Sequence, residues 1–249
     1  MKCLILAAGY ATRLYPLTEN FPKPLLEVGG KPILDWLIED MEQTGLIDEY
    51  VVISNHKFAH IFESWSEKLS TGVRPQIKVL DDGTSSNETR LGAVKDIQFA
   101  IEQLGLDDDL LVMAGDNLLD FSLSGFINYA KEKQATCVMR YYEADEARLH
   151  KTGVAEINDE GLVLSMEEKP AQPKSHWCIP AFYYYTREDA RLIKKGIEAG
   201  CGIDAPGSFI AWLSAQTKVF TYEMPGHRYD IGTLATYESV KRTYRGPID

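Results

Sequence analysis

Apolar residues fall along this chain in two alternating rhythms. Short runs at Lys2 to Leu6, Tyr50 to Ser54, Gln76 to Leu80, Leu110 to Ala114 and Ala135 to Arg140 are rich in Val, Ile or Leu and end at turn or polar residues, which predicts buried strands. Between them the apolar positions return at helical spacing. Ile33, Leu34, Leu37, Ile38 and Met41 form one stripe, with Gly45 where a helix would stop. Phe58 to Leu69, Leu91 to Leu104 and Ser122 to Lys133 read likewise. Short strands alternating with helices predict an α/β fold, a Rossmann-like and mostly parallel sheet sandwiched by helices.

From Gly153 the texture changes. Val154 to Ile157, a turn at Asn158 to Gly161, and Val163 to Met166 predict an antiparallel hairpin, followed by an aromatic strand at Ala181 to Tyr185. Helices are expected at Arg187 to Ala199, Phe209 to Gln216 and Leu234 to Tyr244, with a strand at Lys218 to Met224. No internal repeat or low-complexity linker interrupts the pattern, so one domain is expected over residues 1–249. Pro170 and Pro173 suit either a hinge between parts or a shaped loop.

Composition narrows the function classes. With 45% apolar residues the chain can bury a sizeable core. It has no run of about eighteen apolar residues, and Met1 opens directly into a strand, which predicts a cytoplasmic protein without membrane insertion. A net charge of −11 argues against nucleic acid as a partner, because duplex binding needs a basic surface. A nucleotide remains compatible, since a small polyanion needs only a few well-placed cations and a metal ion. Cys3, Cys137, Cys178 and Cys201 show no CxxC spacing and read as reduced, mostly buried thiols. His56 and His60 stand four apart on a helix pattern, but nothing nearby supplies a third metal ligand.

The chemistry is concentrated in a few segments. After the first strand, ending at Leu6, the residues Ala7, Ala8, Gly9 and Ala11 leave almost no side chain between a ligand and the backbone amides. Arg13 adds a forked cation suited to phosphate oxygens, and Lys23 follows between Pro22 and Pro24 on a stiff segment where an unpartnered lysine is costly. Alone, such a loop is equally a tight, well-packed turn. Four more segments accompany it: GDN at Gly115 to Asn117, GV at Gly153 to Val154, EEKP at Glu167 to Pro170 and DIGT at Asp230 to Thr233. In this order and spacing, from Lys2 to about Tyr244, the chain resembles the sugar nucleotidyltransferases. The pattern is nearest to the short glucose-1-phosphate thymidylyltransferase-like members.

The resemblance implies a reaction in which a sugar 1-phosphate oxygen attacks the α-phosphorus of a nucleoside triphosphate and expels pyrophosphate. It implies a nucleotide-binding half over residues 1–150 and a sugar-phosphate-binding half over 151–249, without a C-terminal β-helix. The attacking oxygen is already ionised, so positioning and charge neutralisation matter more than a general base. Arg13, Lys23 and Lys169 match the catalytic cations: Arg13 for the β and γ phosphates, Lys23 beside the α-phosphate, Lys169 on the sugar phosphate. Asp116 and Asp230 match the two carboxylates that hold Mg²⁺, although GDN by itself would serve as well for a turn. Leu6, Ala8, Gly9, Asn87 and Gly92 fall on nucleotide-binding positions; Asn117, Gly153, Glu168, Ile179 and Tyr183 fall on sugar-phosphate positions. For the last two, ordinary packing of an aromatic strand serves equally.

Three departures from the pattern stand out. Ala8 and Ala11 replace glycines of the signature loop, which predicts a backbone without positive φ there. His227, Arg228 and Tyr229 stand where a tryptophan is common, and Arg228 is placed to add a phosphate contact. GIDAPGSF at Gly202 to Phe209 replaces an acidic segment of glucose-specific relatives, with Asp204 as a substitute carboxylate. The best substrates on this resemblance are dTTP or UTP with glucose 1-phosphate. Phosphocholine with CTP and mannose 1-phosphate with GTP remain open, as does a non-catalytic subunit binding nucleotide sugars. A homo-oligomer is compatible with the chain, which shows no decisive interface stripe.

Overall fold

The computed structural model describes residues 1–69 and 76–247. Along the chain run β1 (Lys2–Leu6), β2 (Glu27–Val28), β3 (Lys31–Pro32), α1 (Ile33–Thr44), β4 (Glu49–Ser54), α2 (Ala59–Leu69), β5 (Ile77–Asp81) and α3 (Ala93–Leu104). Then come β6 (Leu110–Ala114), β7 (Asn117–Leu119), α4 (Ser124–Lys133), β8 (Thr136–Tyr142), α5 (Glu146–Leu149), β9 (Gly153–Ile157) and β10 (Val163–Glu168). The chain continues through β11 (Trp177–Ile179), β12 (Phe182–Tyr185), α6 (Arg187–Ala190), α7 (Ile193–Glu198), α8 (Gly207–Leu213), β13 (Val219–Glu223), β14 (Arg228–Asp230) and α9 (Leu234–Thr243). The α/β class expected from the apolar rhythms is the class observed.

The backbone groups into two compact units. Unit 1 comprises Met1–Arg90, Ala114–Ser124 and Pro225–Asp249, and unit 2 comprises Leu91–Met113 and Gly125–Met224. Residues 91–113 and 125–150 thus belong with later residues, whereas the two-halves reading put them with the first 90.

Unit 1 is built on parallel strands, β1 beside β4 and β4 beside β5, with Leu4 opposite Val51 and Val52 opposite Val79. The interior of β1, Cys3 to Ile5, is fully buried, as are Tyr50 to Ile53 of β4, which is why these runs are apolar without alternation. The α1 stripe is buried, and Gly45 ends the helix in the left-handed region at φ 63°. A second core gathers Leu14, Val28, Ile33, Leu118, Ile231, Tyr237 and Tyr244. In it Tyr237 of α9 and Tyr244 just past the helix keep their hydroxyls satisfied: Tyr237 donates to the Glu27 carbonyl at 2.9 Å and Tyr244 to the Leu119 carbonyl at 2.7 Å.

Unit 2 carries a mixed sheet. β12 pairs antiparallel with β6 and β8, β11 lies antiparallel to β8 and β9, and β9 to β10, while β13 runs parallel to β8. The expected hairpin is β9 with β10, which has a bulge between Val163 and Ser165. The single helix expected over Arg187 to Ala199 is divided into α6 and α7. Asp189 turns inward to accept from the Thr136 hydroxyl at 2.5 Å, and the Leu192 amide donates three residues back to the Asp189 carbonyl, tightening the turn between the helices. Periodicity had no purchase on β7, β11 and β14, which are three residues each.

Among the described residues no disulfide joins the four cysteines, three of which are buried, and burial pushes the Cys137 thiol up to about 12. No helix among the described residues is long and apolar enough to cross a membrane.

Candidate active site

In unit 1 the chain leaving β1 lines a hollow of about 200 Å³ with Leu6, Gly9, Arg13, Lys23, Asp116 and Gly232. The loop from Ala7 to Leu14 is held from behind at several points. The Ala7 amide donates to the Ile53 carbonyl at 2.9 Å, and the fully buried Asn55 donates from Nδ2 to the Ala8 carbonyl at 2.9 Å. Asn55 Oδ1 accepts from the Phe58 amide, so both ends of this buried amide are used. Tyr10 donates to the Thr84 carbonyl at 3.1 Å and Thr18 to the Ala11 carbonyl at 2.8 Å. Asp82, two residues before Thr84, binds that residue's amide and hydroxyl, both at 2.7 Å. Burial, partly offset by those bonds, raises the Asp82 pKa.

One expectation for this loop is overturned. Ala11 sits in the left-handed region at φ 46°, ψ 42°, where an alanine rather than a glycine carries about 1–2 kcal/mol of steric cost. The tethers to Ala8, Tyr10 and Ala11 hold the chain there and open the short turn Thr12–Leu14 that presents Arg13. Arg13 is exposed, and among the described residues no carboxylate pairs with it.

Lys23 behaves differently. It is 8% exposed, fixed in a short turn after Pro22, and its Nζ donates to Asp116 Oδ2 at 2.6 Å. Burial pushes the Asp116 carboxyl upward, but the Lys23 ammonium and then the Arg228 guanidinium outweigh it, so this carboxyl titrates below its ordinary value. Asp116 therefore stays ionised. Asn117 beside it is buried and engaged on both sides: Nδ2 donates to the Ala114 carbonyl at 3.1 Å, and Oδ1 accepts from Arg228 Nη1 at 3.0 Å. Arg228 thus braces the GDN turn.

The link between the two aspartate motifs is the ladder of β7 with β14, which sets Asp230 opposite Asn117, one residue from Asp116. The Asp230 carboxylate leans over Gly232, where an added methyl would stand 3.5 Å from Oδ2. No described residue donates to Asp230. These donors suit a hard divalent cation. The protein offers two carboxylates, one free, and no group of three or more His, Cys, Asp or Glu occurs among the described residues, so remaining ligands would come from water and phosphate.

Not every position lies on the hollow. Ala8 is buried and held by its carbonyl. Asn87 is exposed in a turn, with Oδ1 accepting from Arg90 at 3.0 Å. His56 pairs with Asp81 at 2.6 Å and, among the described residues, belongs to no group of three or more metal-ligating side chains. Asn55, which the sequence analysis did not single out, shows only as a polar residue after an apolar strand.

In unit 2 the acceptor candidates gather around Glu168 at the end of β10. Tyr183 is buried on β12, and the Glu168 charge adds to burial in raising its pKa. Ile179 is buried opposite Gly153 in the β11–β9 ladder. Lys169 is exposed, adopts a left-handed φ of 50°, and donates its amide to the Thr152 carbonyl at 3.0 Å. Gly92 opens α3 at φ 93°, and an added methyl there would stand 2.5 Å from the Ile203 carbonyl oxygen. Its bareness serves a close approach of the 203–204 backbone.

Comparison with known proteins bears on these sites. Residues 2–245 match the family model described as nucleotidyl transferase. The bifunctional protein GlmU of Methanocaldococcus jannaschii is 30% identical over 232 residues, which is 93% of this chain and 51% of that protein. A glucose-1-phosphate thymidylyltransferase of Streptomyces antibioticus is 29% identical over 249 residues, 98% of this chain and 66% of its own length. This chain therefore spans about half to two thirds of several curated relatives. Among solved structures, a UDP-glucose pyrophosphorylase complexed with UDP-glucose superposes with a TM-score of 0.80 at 20% identity, over 98% of this chain and 97% of that one.

Proposed function

The chain belongs to the nucleotidyl transferase family, and on that footing we propose that it transfers a nucleotidyl group from dTTP or UTP to a sugar 1-phosphate, glucose 1-phosphate first, releasing pyrophosphate. The observation that carries this is the Lys23–Asp116 pair on the hollow that also receives Arg13 and the bare Gly9. The relatives named for thymidylyl and uridylyl transfer to glucose 1-phosphate support the substrate choice.

The acceptor's phosphate oxygen forms the new bond to the α-phosphorus, and the bond to the bridging oxygen breaks, its electron pair leaving with pyrophosphate. Lys23, buried and already oriented, serves the α-phosphate without reorganising. Arg13, unpaired among the described residues, is the cation for the leaving phosphates. Asp116 and Asp230 would hold Mg²⁺, which when bound neutralises phosphate charge. Glu168 has no hydrogen-bond donor among the described residues and serves sugar hydroxyls, with Lys169 beside it for the sugar phosphate.

The test is pyrophosphate release with Mg²⁺ across the common nucleoside triphosphates and a panel of sugar 1-phosphates plus phosphocholine. Asp116→Asn serves as control, because it keeps an acceptor for Lys23 while removing the charge. Turnover with a pyrimidine triphosphate and a hexose 1-phosphate, reduced at least about 100-fold in the variant, is expected. Release only with CTP and phosphocholine would replace the acceptor. No release from any pair, with nucleotide sugars still bound, would make the chain a binding subunit.

A further inference from the structure

The Glu168 carboxylate occupies space that two other residues leave by having no side chain. A methyl group added at Gly207 would overlap Glu168 Oε2 and stand 3.0 Å from Met166 Cε. One added at Gly153 would overlap Met166 Cε and stand 3.0 Å from the same carboxylate oxygen. Neither glycine has a positive φ, so alanine suits both backbones and only room is at stake. The atoms in the way are the far ends of flexible side chains, which can shift without unfolding the protein.

Gly153, which the resemblance puts on a sugar-phosphate position, here leaves room for Met166 and Glu168. Gly207 lies in the segment that replaces the acidic stretch of glucose-specific relatives. That segment is fixed at its other end. The Ile203 carbonyl accepts from the Val94 amide at 3.0 Å and the Asp204 carbonyl from the Ala93 amide at 3.2 Å, on the first turn of α3. Residues 203–207 thus form a strap running from the start of α3 to the Glu168 carboxylate. Asp204 on the strap is exposed; burial and then the Asp204 charge, opposed by Lys169, raise the Glu168 pKa.

We propose that Gly207 is a positioning residue for acceptor specificity: having no side chain, it fixes where the Glu168 carboxylate stands and so which acceptor hydroxyls donate to it. The proposal rests on the reading of Glu168 as the acceptor's hydrogen-bond partner. A carboxylate with free lone pairs recognises vicinal hydroxyls by geometry, and a displacement near 1 Å at such a site costs up to about 100-fold.

The test is a double-mutant cycle of Gly207→Ala and Glu168→Ala, with KM and kcat measured separately for acceptor and nucleotide. Gly207→Ala is expected to raise the acceptor KM about 10- to 100-fold and to leave the nucleotide KM within about twofold. On the Glu168→Ala background the same change is expected to do nothing further, because the group it displaces is gone. Multiplying effects, equal rises in both KM values, or an unchanged acceptor KM would overturn the proposal. Should Gly207→Ala alone fail to fold, Gly207→Ala with Glu168→Asp, whose shorter side chain draws back from the methyl, takes its place with the same expected split. A wild-type protein that turns over no acceptor would instead defeat the reading of the site on which the proposal rests.

Discussion

The two units treat charge in opposite ways. In unit 1 the buried cation Lys23 already holds a partner, Asp116, and the loop around the hollow is tied at Ala8, Tyr10 and Ala11. In unit 2 the carboxylate Glu168 has no donor among the described residues and rests against two bare glycines. Under the proposed function, the difference follows from what each would recognise. A triphosphate presents strong fixed charge, so its site gains from cations held in place before binding. Hydroxyl groups are recognised by unused lone pairs, so the acceptor carboxylate must remain unsatisfied until the ligand arrives.

That contrast can be broken at its strongest point. Lys23→Ala is expected to lower kcat/KM by about 100- to 1,000-fold, and the Asp116 carboxyl, freed of its nearest cation, to titrate closer to its ordinary value. Steady-state kinetics together with NMR titration of the carboxyl would check both. A loss under tenfold would make the pair a structural tie.

Asn55→Ala tests the tethering rather than the cation. It leaves the Ala8 carbonyl without the donor that the fully buried Asn55 supplies, while the Phe58 amide keeps the backbone carbonyl of residue 55 at 3.2 Å, at a cost of about 1–3 kcal/mol. The nucleotide KM should rise several-fold while the acceptor KM stays put. Equal rises would show that the loop is not specific to the nucleotide.

The smallest effect has the opposite sign. Because the Glu168 pKa is raised in the folded protein, folding binds this proton more tightly than the unfolded chain does. The group's contribution therefore worsens as pH climbs from about 4 through its raised pKa. The penalty is complete once the pH has passed the raised pKa. Glu168→Gln is accordingly expected to raise Tm by about 1–2 °C at pH 7 and by nothing near pH 4, while weakening acceptor use. A lower Tm at pH 7 in calorimetry would show that Glu168 has a partner in the fold.

Much of this was legible in the residues. The spans of β1 and β6 are those the apolar runs predicted, because strands buried on both faces read as continuous Val, Ile and Leu. The cations and carboxylates were visible as motifs. Their mutual placement was not, since β7 and β14 are too short for any periodicity and pair across more than a hundred residues. Ala11 went against expectation because tertiary tethers outweigh a local preference of about 1–2 kcal/mol. Asn55 and Gly207 escaped notice for a shared reason: each acts on another residue's position, and a sequence shows residue types rather than neighbours.

The division of unit 1 into three stretches of chain has a consequence for how the protein is made. Its first 90 residues contain Arg13 and Lys23, but Asp230, Ile231, Tyr237 and Tyr244 belong to the stretch beginning at Pro225. At roughly 5–20 residues per second, a ribosome needs about 7 to 27 s to travel from one to the other. Throughout that interval β1 and β4 exist without the helix that packs with Leu14 and Val28. The hollow of unit 1 is therefore assembled late, and a nascent chain carries the loop of Ala7 to Leu14 long before it has the carboxylate and core that complete it.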